Sequence, residues 1–254
     1  MAETLLNATG VSVRFGGVAA LTEADFTVAR GEIGSLIGPN GAGKTTLFNA
    51  ITGMVGLHSG SVLLDGRDIS GLPPHWRAGH GVVRTFQNLQ LFTTMSVLEN
   101  VLTGAHRRLN YTVAEAVLKL PRYWREERRA REIAAECLDF VGLTDLAEAR
   151  ASDLPYGKQR LLEMARALAA DPALLLLDEP AAGLNPRETK ALGALIRRIR
   201  DERHVTVALV EHDMDLVMGI SDTVTVLSFG RVIARGAPAA VQRDPEVIRA
   251  YLGG

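Results

Sequence analysis

The sequence predicts an α/β fold with a mixed sheet core, on three observations. Apolar runs suited to strands alternate with helical patterns through the C-terminal half, which implies a parallel sheet covered on both faces. A glycine-rich loop joins a buried strand to a helix at residues 38–46. An all-helical stretch interrupts this alternation and reads as an inserted subdomain, from about residue 88 to 157.

Residues 3–37 alternate apolar and polar side chains, with turns at Gly16-Gly17 and Arg30-Gly31, so an antiparallel β region feeds a buried strand at Ile33–Ile37. The helix after the loop runs Lys44–Thr52, and further strands fall at Ser61–Leu64 and Gly81–Phe86. From Val97 to about Arg150 the period turns helical, through Val113, Ala116, Val117 and Leu120 and then Ile133, Cys137, Phe140 and Val141. A helix starting at Lys158 runs to Ala169, where Asp171-Pro172 stops it. Then come strand Ala173–Leu177, helix Pro186–Arg203, strand Val205–Val210, helix Met214–Ile220 and strand Thr223–Ser228. Asp244-Pro245-Glu246 is an N-cap with proline at the first helical position, so a short helix closes the pattern.

The loop itself matches G-x-x-x-x-G-K-[ST] with Gly38, Gly43, Lys44 and Thr45 at the fixed places. Glycines let the backbone N–H groups from Asn40 through Gly41, Ala42 and Gly43 to Thr46 curl around phosphate oxygens. Lys44 reaches the β- and γ-phosphates, the Thr45 hydroxyl can ligate Mg²⁺, and the dipole of the following helix favours an anion. A second phosphate-site element supports the first. Leu174–Leu177 runs into Asp178 and Glu179, at the strand end where ligands bind in such sheets. Asp178 is placed to hold Mg²⁺ and Glu179 to polarise an attacking water.

Composition bounds the rest. The 254 residues are 47% hydrophobic with a net charge of −1, enough for a large core and too balanced for bulk electrostatic binding to nucleic acid. The densest basic run, Arg122–Arg131, is interleaved with Glu126 and Glu127 and reads as a solvated helix face. The single cysteine, Cys137, excludes an internal disulfide and sits in a helical pattern as a packed thiol. The N-terminus lacks the basic and apolar regions of a secretory signal, and no apolar run approaches the length of a bilayer span. The chain is therefore expected in the cytosol, reaching a membrane only through a partner. No N-K-x-D base-reading motif suggests a GTPase, and no sustained heptads suggest a coiled coil.

With those motifs in place, the chain resembles the ATP-binding subunits of ABC transporters, from about residue 4 to its C-terminus. The resemblance implies a P-loop NTPase of ABC type, one domain over 4–254, with a core at 4–87 and 158–254 and a helical subdomain at about 88–157. It implies ATP as nucleotide and further site residues. Phe15, in Val13-Arg14-Phe15-Gly16-Gly17, takes the place of the aromatic that stacks on adenine; a strand-end core residue is the alternative. Gln87, in Val83-Arg84-Thr85-Phe86-Gln87, takes the Q-loop place at Mg²⁺ and the γ-phosphate side, and His212 that of the switch histidine. Leu154-Pro155-Tyr156-Gly157-Lys158-Gln159 occupies the signature place, departing from L-S-G-G-Q. Tyr156, Gly157 and Lys158 then face nucleotide across a dimer, while Pro155 supplies neither hydroxyl nor N–H. In Ala181-Ala182-Gly183-Leu184-Asn185 an asparagine stands where aspartate is usual, which keeps hydrogen bonding and drops the charge.

The departures, with Glu211-His212-Asp213-Met214 and the ending Tyr251-Leu252-Gly253, are similar to ATPases of branched-chain amino acid uptake systems; urea, amide and lipopolysaccharide transporters stay open, as does a soluble ABC ATPase outside transport. The resemblance implies pairing head to tail with a second, different ATPase. It also implies two membrane permeases above the pair at the cytoplasmic face of the inner membrane, fed by an extracytoplasmic binding protein, with no nucleic-acid partner. Leu91 and Phe92, after Gln87, are either anchors for a partner helix or ordinary core.

Overall fold

The computed structural model describes residues 3–252, the last by its backbone only; Gly253 of the C-terminal motif lies outside the described residues. The chain forms two compact units. One comprises everything up to Arg84 and everything from Ala173 on, and the other is Thr85–Pro172.

The first unit holds two sheets. Strands β1 (Thr4–Phe15), β2 (Val18–Ala29), β4 (Ser59–Leu64) and β5 (Arg67–Asp68) form an antiparallel sheet in the order β2-β1-β4-β5. The second sheet contains β3 (Ile33–Ile37), β6 (Val82–Arg84), β7 (Leu174–Asp178), β8 (Thr206–Val210), β9 (Thr223–Ser228) and β10 (Arg231–Gly236), in the order β10-β9-β3-β8-β7-β6. Its four pairings from β9 to β6 are parallel and β10 is antiparallel to β9, so the sheet is mixed. Strands β3, β7 and β8 are buried along their whole lengths, which explains why they read as continuous apolar runs rather than alternating ones.

Helix α1 (Lys44–Thr52) lies between the sheets. Phe48, Leu47 and Ile51 join Leu6, Phe26 and Val62 of the antiparallel sheet and Leu36 and Leu176 of the other in one core. Helix α2 (Pro74–Gly79) supplies Arg77, whose guanidinium is buried. It donates to the carbonyls of Ala50 and Ile51 at 2.7 and 2.8 Å, in the last turn of α1, and to Ser70 and Leu72 at 2.6 and 2.8 Å. A second core joins α8 (Met214–Ile220), α9 (Pro238–Val241) and α10 (Pro245–Leu252) to β9 through Val217, Val241, Val247 and Val226. Helix α7 (Pro186–Arg203) completes the unit.

The second unit is α3 (Val97–Ala105), α4 (Val113–Val117), α5 (Pro121–Val141) and α6 (Tyr156–Ala169), joined by short 3₁₀ turns. Its core comes from α3, α5 and α6, with Val101, Ala134, Leu138, Leu162 and Ala165 buried. Because α6 packs there, the compact unit extends to Pro172, beyond the boundary at 157 expected from sequence. Two further differences from the sequence reading have physical causes. Strand β6 stops at Arg84 rather than Phe86, and the carbonyls of Phe86 and Gln87 face the Arg160 guanidinium instead of a strand. The helical periodicity at Val113, Val117 and Leu120 does not mark a core face, because all three side chains are exposed.

Candidate functional site

The glycine-rich loop connects β3 to α1, and its backbone could not be built with other residues. Gly38 has φ +155, and a Cβ there would sit 2.0 Å from the Leu227 carbonyl oxygen. Gly43 has φ +106, and a Cβ there would meet the Ala20 carbonyl oxygen at 2.8 Å. Gly43 is also the N-cap of α1 and offers no side chain, so the first-turn N–H groups of the helix have neither a cap nor an i−4 carbonyl. They point out of the helix end as a ready anion cradle. Ala42 packs into the core and anchors the loop, with its carbonyl accepting from Gly230 N–H at 2.9 Å.

Lys44 folds back over this loop. Its ammonium donates to the carbonyls of Gly38 at 2.6 Å and Pro39 at 3.0 Å, and the side chain is buried. Burial pushes its pKa down, and the carboxylates of Glu179 and Asp178 oppose that shift. The lysine, the loop and both acidic residues therefore share one electrostatic site at the C-terminal ends of β3 and β7.

Asp178 ends β7 and is buried. Its Oδ2 accepts from Arg84 Nη2 at 2.6 Å, with both side chains about 95% buried (5% and 6% exposed). Arg84 also donates to Asn49 Oδ1 at 2.7 Å and lies over the Phe48 ring, so it is clamped against α1. Glu179 follows in the left-handed region at φ 46, a conformation costing on the order of 1–3 kcal/mol for a non-glycine residue. Its N–H donates to the Val210 carbonyl at 2.8 Å, which holds the turn against β8. His212 Nδ1 stands 3.8 Å from Glu179 Oε2 on a largely exposed ring.

Glu211 ties these pieces together. Its carboxylate is buried, and Oε1 accepts from Ala181 N–H at 2.7 Å. Oε2 accepts from the N–H groups of His212 at 2.8 Å and Asp213 at 3.2 Å. One side chain thus fixes both the loop after Glu179 and the segment that carries His212. The next loop ends on Asn185, which caps α7 in a reciprocal pair with Glu188: each side chain accepts from the other's N–H at 3.0 Å. Asparagine at that position has a helix-capping use of its own.

Phe15 ends β1 opposite Val18, at the turn the sequence placed at Gly16-Gly17. Its ring is 53% exposed, so it belongs to no core.

The remaining sequence candidates lie in the helical unit. Gln87 is exposed. Tyr156, Gly157 and Lys158 form the first turn of α6, whose N-cap is Pro155, with no side-chain cap. Tyr156 and Lys158 are exposed. Between them and Gln87 lies a residue that sequence reasoning passed over. Arg160, 2% exposed, donates to the Phe86 carbonyl at 3.1 Å, the Gln87 carbonyl at 2.6 Å and Tyr156 Oη at 3.0 Å, and pairs with Glu163 at 3.2 Å. Phe92 is half-exposed under Arg166, and its backbone is held by the buried Asn100 side chain at 2.9 and 3.0 Å.

Arg84, Arg160 and Glu211 were all missed by sequence reading. The signal available was positional: a charged residue inside or beside an otherwise apolar strand or helix face demands a buried partner.

Comparison with known proteins agrees with this geometry. The family model for ABC transporters matches residues 21–182, and that for branched-chain amino acid ATP-binding cassette transporters matches 231–254. The high-affinity branched-chain amino acid transport ATP-binding protein BraF of Pseudomonas aeruginosa is 48% identical, over 100% of this chain and 99% of its own length. LivG of Escherichia coli, described in the same words, is 46% identical over the same shares. Among solved structures, the ADP conformation of MJ1267, an ATP-binding cassette of an ABC transporter, superposes with a TM-score of 0.87 at 30% identity, covering 100% of both chains. The fold and site are those of a P-loop ATPase cassette. The chain belongs to the ABC transporter ATP-binding family: it is a nucleotide-binding, ATP-hydrolysing subunit closely related to BraF and LivG.

Proposed function

We propose that this subunit powers import of branched-chain amino acids. The observation that carries the solute class is the full-length 48% identity to BraF, together with the match of the C-terminal segment to the branched-chain cassette model. Under this reading the chain works at the cytoplasmic face of the membrane as one of two ATPases paired head to tail beneath two permeases, which an extracytoplasmic binding protein supplies. No helix among the described residues is long and apolar enough to cross a membrane.

The site residues act as follows. Lys44 and the N–H groups from Asn40 to Thr46 neutralise phosphate charge, with Gly38, Gly41 and Gly43 giving the backbone its close approach. Phe15 offers its exposed ring to the adenine. Glu179, in its left-handed turn, orients and polarises the attacking water, and His212 supports the γ-phosphate. Glu211 is the positioning residue for both. Thr45 and Asp178 would hold Mg²⁺, with Gln87 assigned by its motif place. Among the described residues no group of three or more His, Cys, Asp or Glu could hold a metal ion. When bound there, Mg²⁺ would supply positive charge against the phosphates. Tyr156, Gly157 and Lys158 present an uncapped helix N-terminus and an ammonium to the nucleotide of the paired subunit.

Two experiments test this. Lys44→Ala is expected to weaken ATP binding by about 10²-fold or more, since it removes a buried phosphate-facing charge; titration with a fluorescent ATP analogue measures it, and unchanged affinity refutes the P-loop role. Glu179→Gln protein, purified from its native membranes in ATP and Mg²⁺, is expected to bring down two permeases and a second ATPase. Scintillation assays on the same complex carrying wild-type Glu179, rebuilt in proteoliposomes with its binding protein, then read leucine, isoleucine and valine uptake. Recovery of permeases that respond instead to urea or lipopolysaccharide overturns the solute, and recovery of no membrane protein overturns the importer reading.

A further inference from the structure

We propose that one face of the helical unit, formed by α4 and the first turn of α5, docks directly on an anionic lipid bilayer. Three observations meet there. The first is exposed apolar surface. Val113, Val117 and Leu118 are 82%, 74% and 67% exposed, and Leu120 and Trp124 follow at 41% and 55%. Helix α4 is closed at its start by a reciprocal Thr112–Glu115 capping pair, so the segment is built and not frayed. Val113 and Val117, at i and i+4, lie on one side of it. The apolar period that reads as a core stripe in the sequence is therefore a surface stripe in the fold. Five large apolar side chains so exposed within twelve residues mark a contact surface.

The second observation is charge. Between Arg107 and Arg131 the chain carries eight Arg and Lys against three Glu, a net of five positive charges in a protein whose total is −1. Two of the glutamates are engaged, Glu115 with Arg122 at 3.5 Å and the buried Glu126 with Arg129 at 3.9 Å. Lys119, Arg125 and Arg128 are exposed and have no ion pair among the described residues. They flank the apolar stripe on the same short stretch of chain.

The third is aromatic. Tyr111, Tyr123 and Trp124 stack edge to face, with ring centroids 5.3 and 5.2 Å apart. Trp124 remains over half exposed beside Arg125. Amphipathic rings at the junction of an apolar stripe and a basic rim match the headgroup region of a bilayer, where indole and phenol reside between acyl chains and water. The basic rim selects anionic headgroups, because Lys and Arg near such a surface gain energy in proportion to their number. A nucleic-acid groove would leave the aliphatic side chains without a partner.

The test uses the purified full chain and vesicles of phosphatidylcholine, with and without phosphatidylglycerol. The chain has two tryptophans, so Trp76→Phe leaves Trp124 as the sole emitter. Sedimentation with anionic but not neutral vesicles is expected, weakened by salt, with a blue shift of Trp124 emission on the anionic vesicles alone. Arg125→Glu/Arg128→Glu and Val117→Ser/Leu118→Ser should each weaken vesicle binding by about tenfold or more. Both should keep wild-type ATP turnover, since none of these residues belongs to the nucleotide site. Equal binding to neutral vesicles, no binding to either, or wild-type binding by both variants overturns the proposal. So does loss of co-purifying permeases in Val117→Ser/Leu118→Ser without any vesicle binding by the wild type, which would make the face a protein interface. Neither result bears on the transported solute.

Discussion

Glu179→Gln is expected to lower ATP turnover by about 10²–10⁴-fold, the usual contribution of a positioned general base, while ATP affinity stays within about twofold. The substitution is nearly isosteric. It leaves the left-handed backbone at φ 46 and the N–H bond to the Val210 carbonyl untouched, since neither depends on the carboxylate. What it removes is the charge that would draw a proton from water, 3.8 Å from the His212 ring. It also removes one of the two carboxylates that counter the desolvation of Lys44. An amide there would make the lysine pocket more positive, so phosphate binding should not weaken. Turnover at saturating ATP and equilibrium nucleotide binding, measured on the same preparation, separate the two effects. Hydrolysis within tenfold of wild type would remove Glu179 from the reaction and leave it as the residue that turns the chain out of β7.

The phosphate site was legible because its parts are local in sequence. Gly38 to Thr46 holds the loop, the helix start and its functional side chains, and Leu174 to Glu179 holds a strand and its two carboxylates, each within ten residues. Parallel order among β3, β7, β8 and β9 followed from the same alternation. The antiparallel β10 did not, since Arg231–Gly236 is only partly buried and carries charge at both ends. Helix α2 is only six residues long, too short for helical periodicity to show, although proline at its first position fits a helix start. The long-range bonds of buried arginines were the largest omission. Arg84 and its ion-pair partner Asp178 are 94 positions apart, and Arg160 is 73 positions from Gln87, to whose carbonyl it donates, so no short window of sequence contains both partners. The exposed stripe on α4 failed differently: helical spacing of apolar residues was present, but spacing does not say which face the fold covers.

Arg160→Met is expected to destabilise the helical unit by about 3–5 kcal/mol near neutral pH, since it strands a carboxylate in a buried site. Glu163 is 4% exposed and 3.2 Å from the guanidinium. Its pKa is already raised by burial, with Arg160 and then Arg166 holding it back. Removing Arg160 lifts that restraint and raises the pKa further. The sign follows from proton uptake. A carboxylate whose pKa is higher folded than unfolded binds its proton more tightly in the native state. Its cost is therefore absent below the unfolded value, grows as pH rises, and is complete above the folded value. The stability gap between wild type and Arg160→Met should thus be widest at about pH 8 and shrink towards about pH 5. Urea midpoints at the two pH values measure it, and adding Glu163→Leu should recover most of the loss at both. A gap that does not change with pH would mean that the arginine matters only for what else it holds: the carbonyls of Phe86 and Gln87 and the hydroxyl of Tyr156. Those bonds tie the Gln87 segment to the first turn of α6, two pieces of the proposed nucleotide site that contribute to the same unit through one buried cation. The double variant separates these contributions, because Glu163→Leu repairs the charge and leaves the tie broken. Restored stability with ATP turnover still depressed would assign Arg160 the positioning of Gln87 and Tyr156, whereas recovery of both would confine it to the fold.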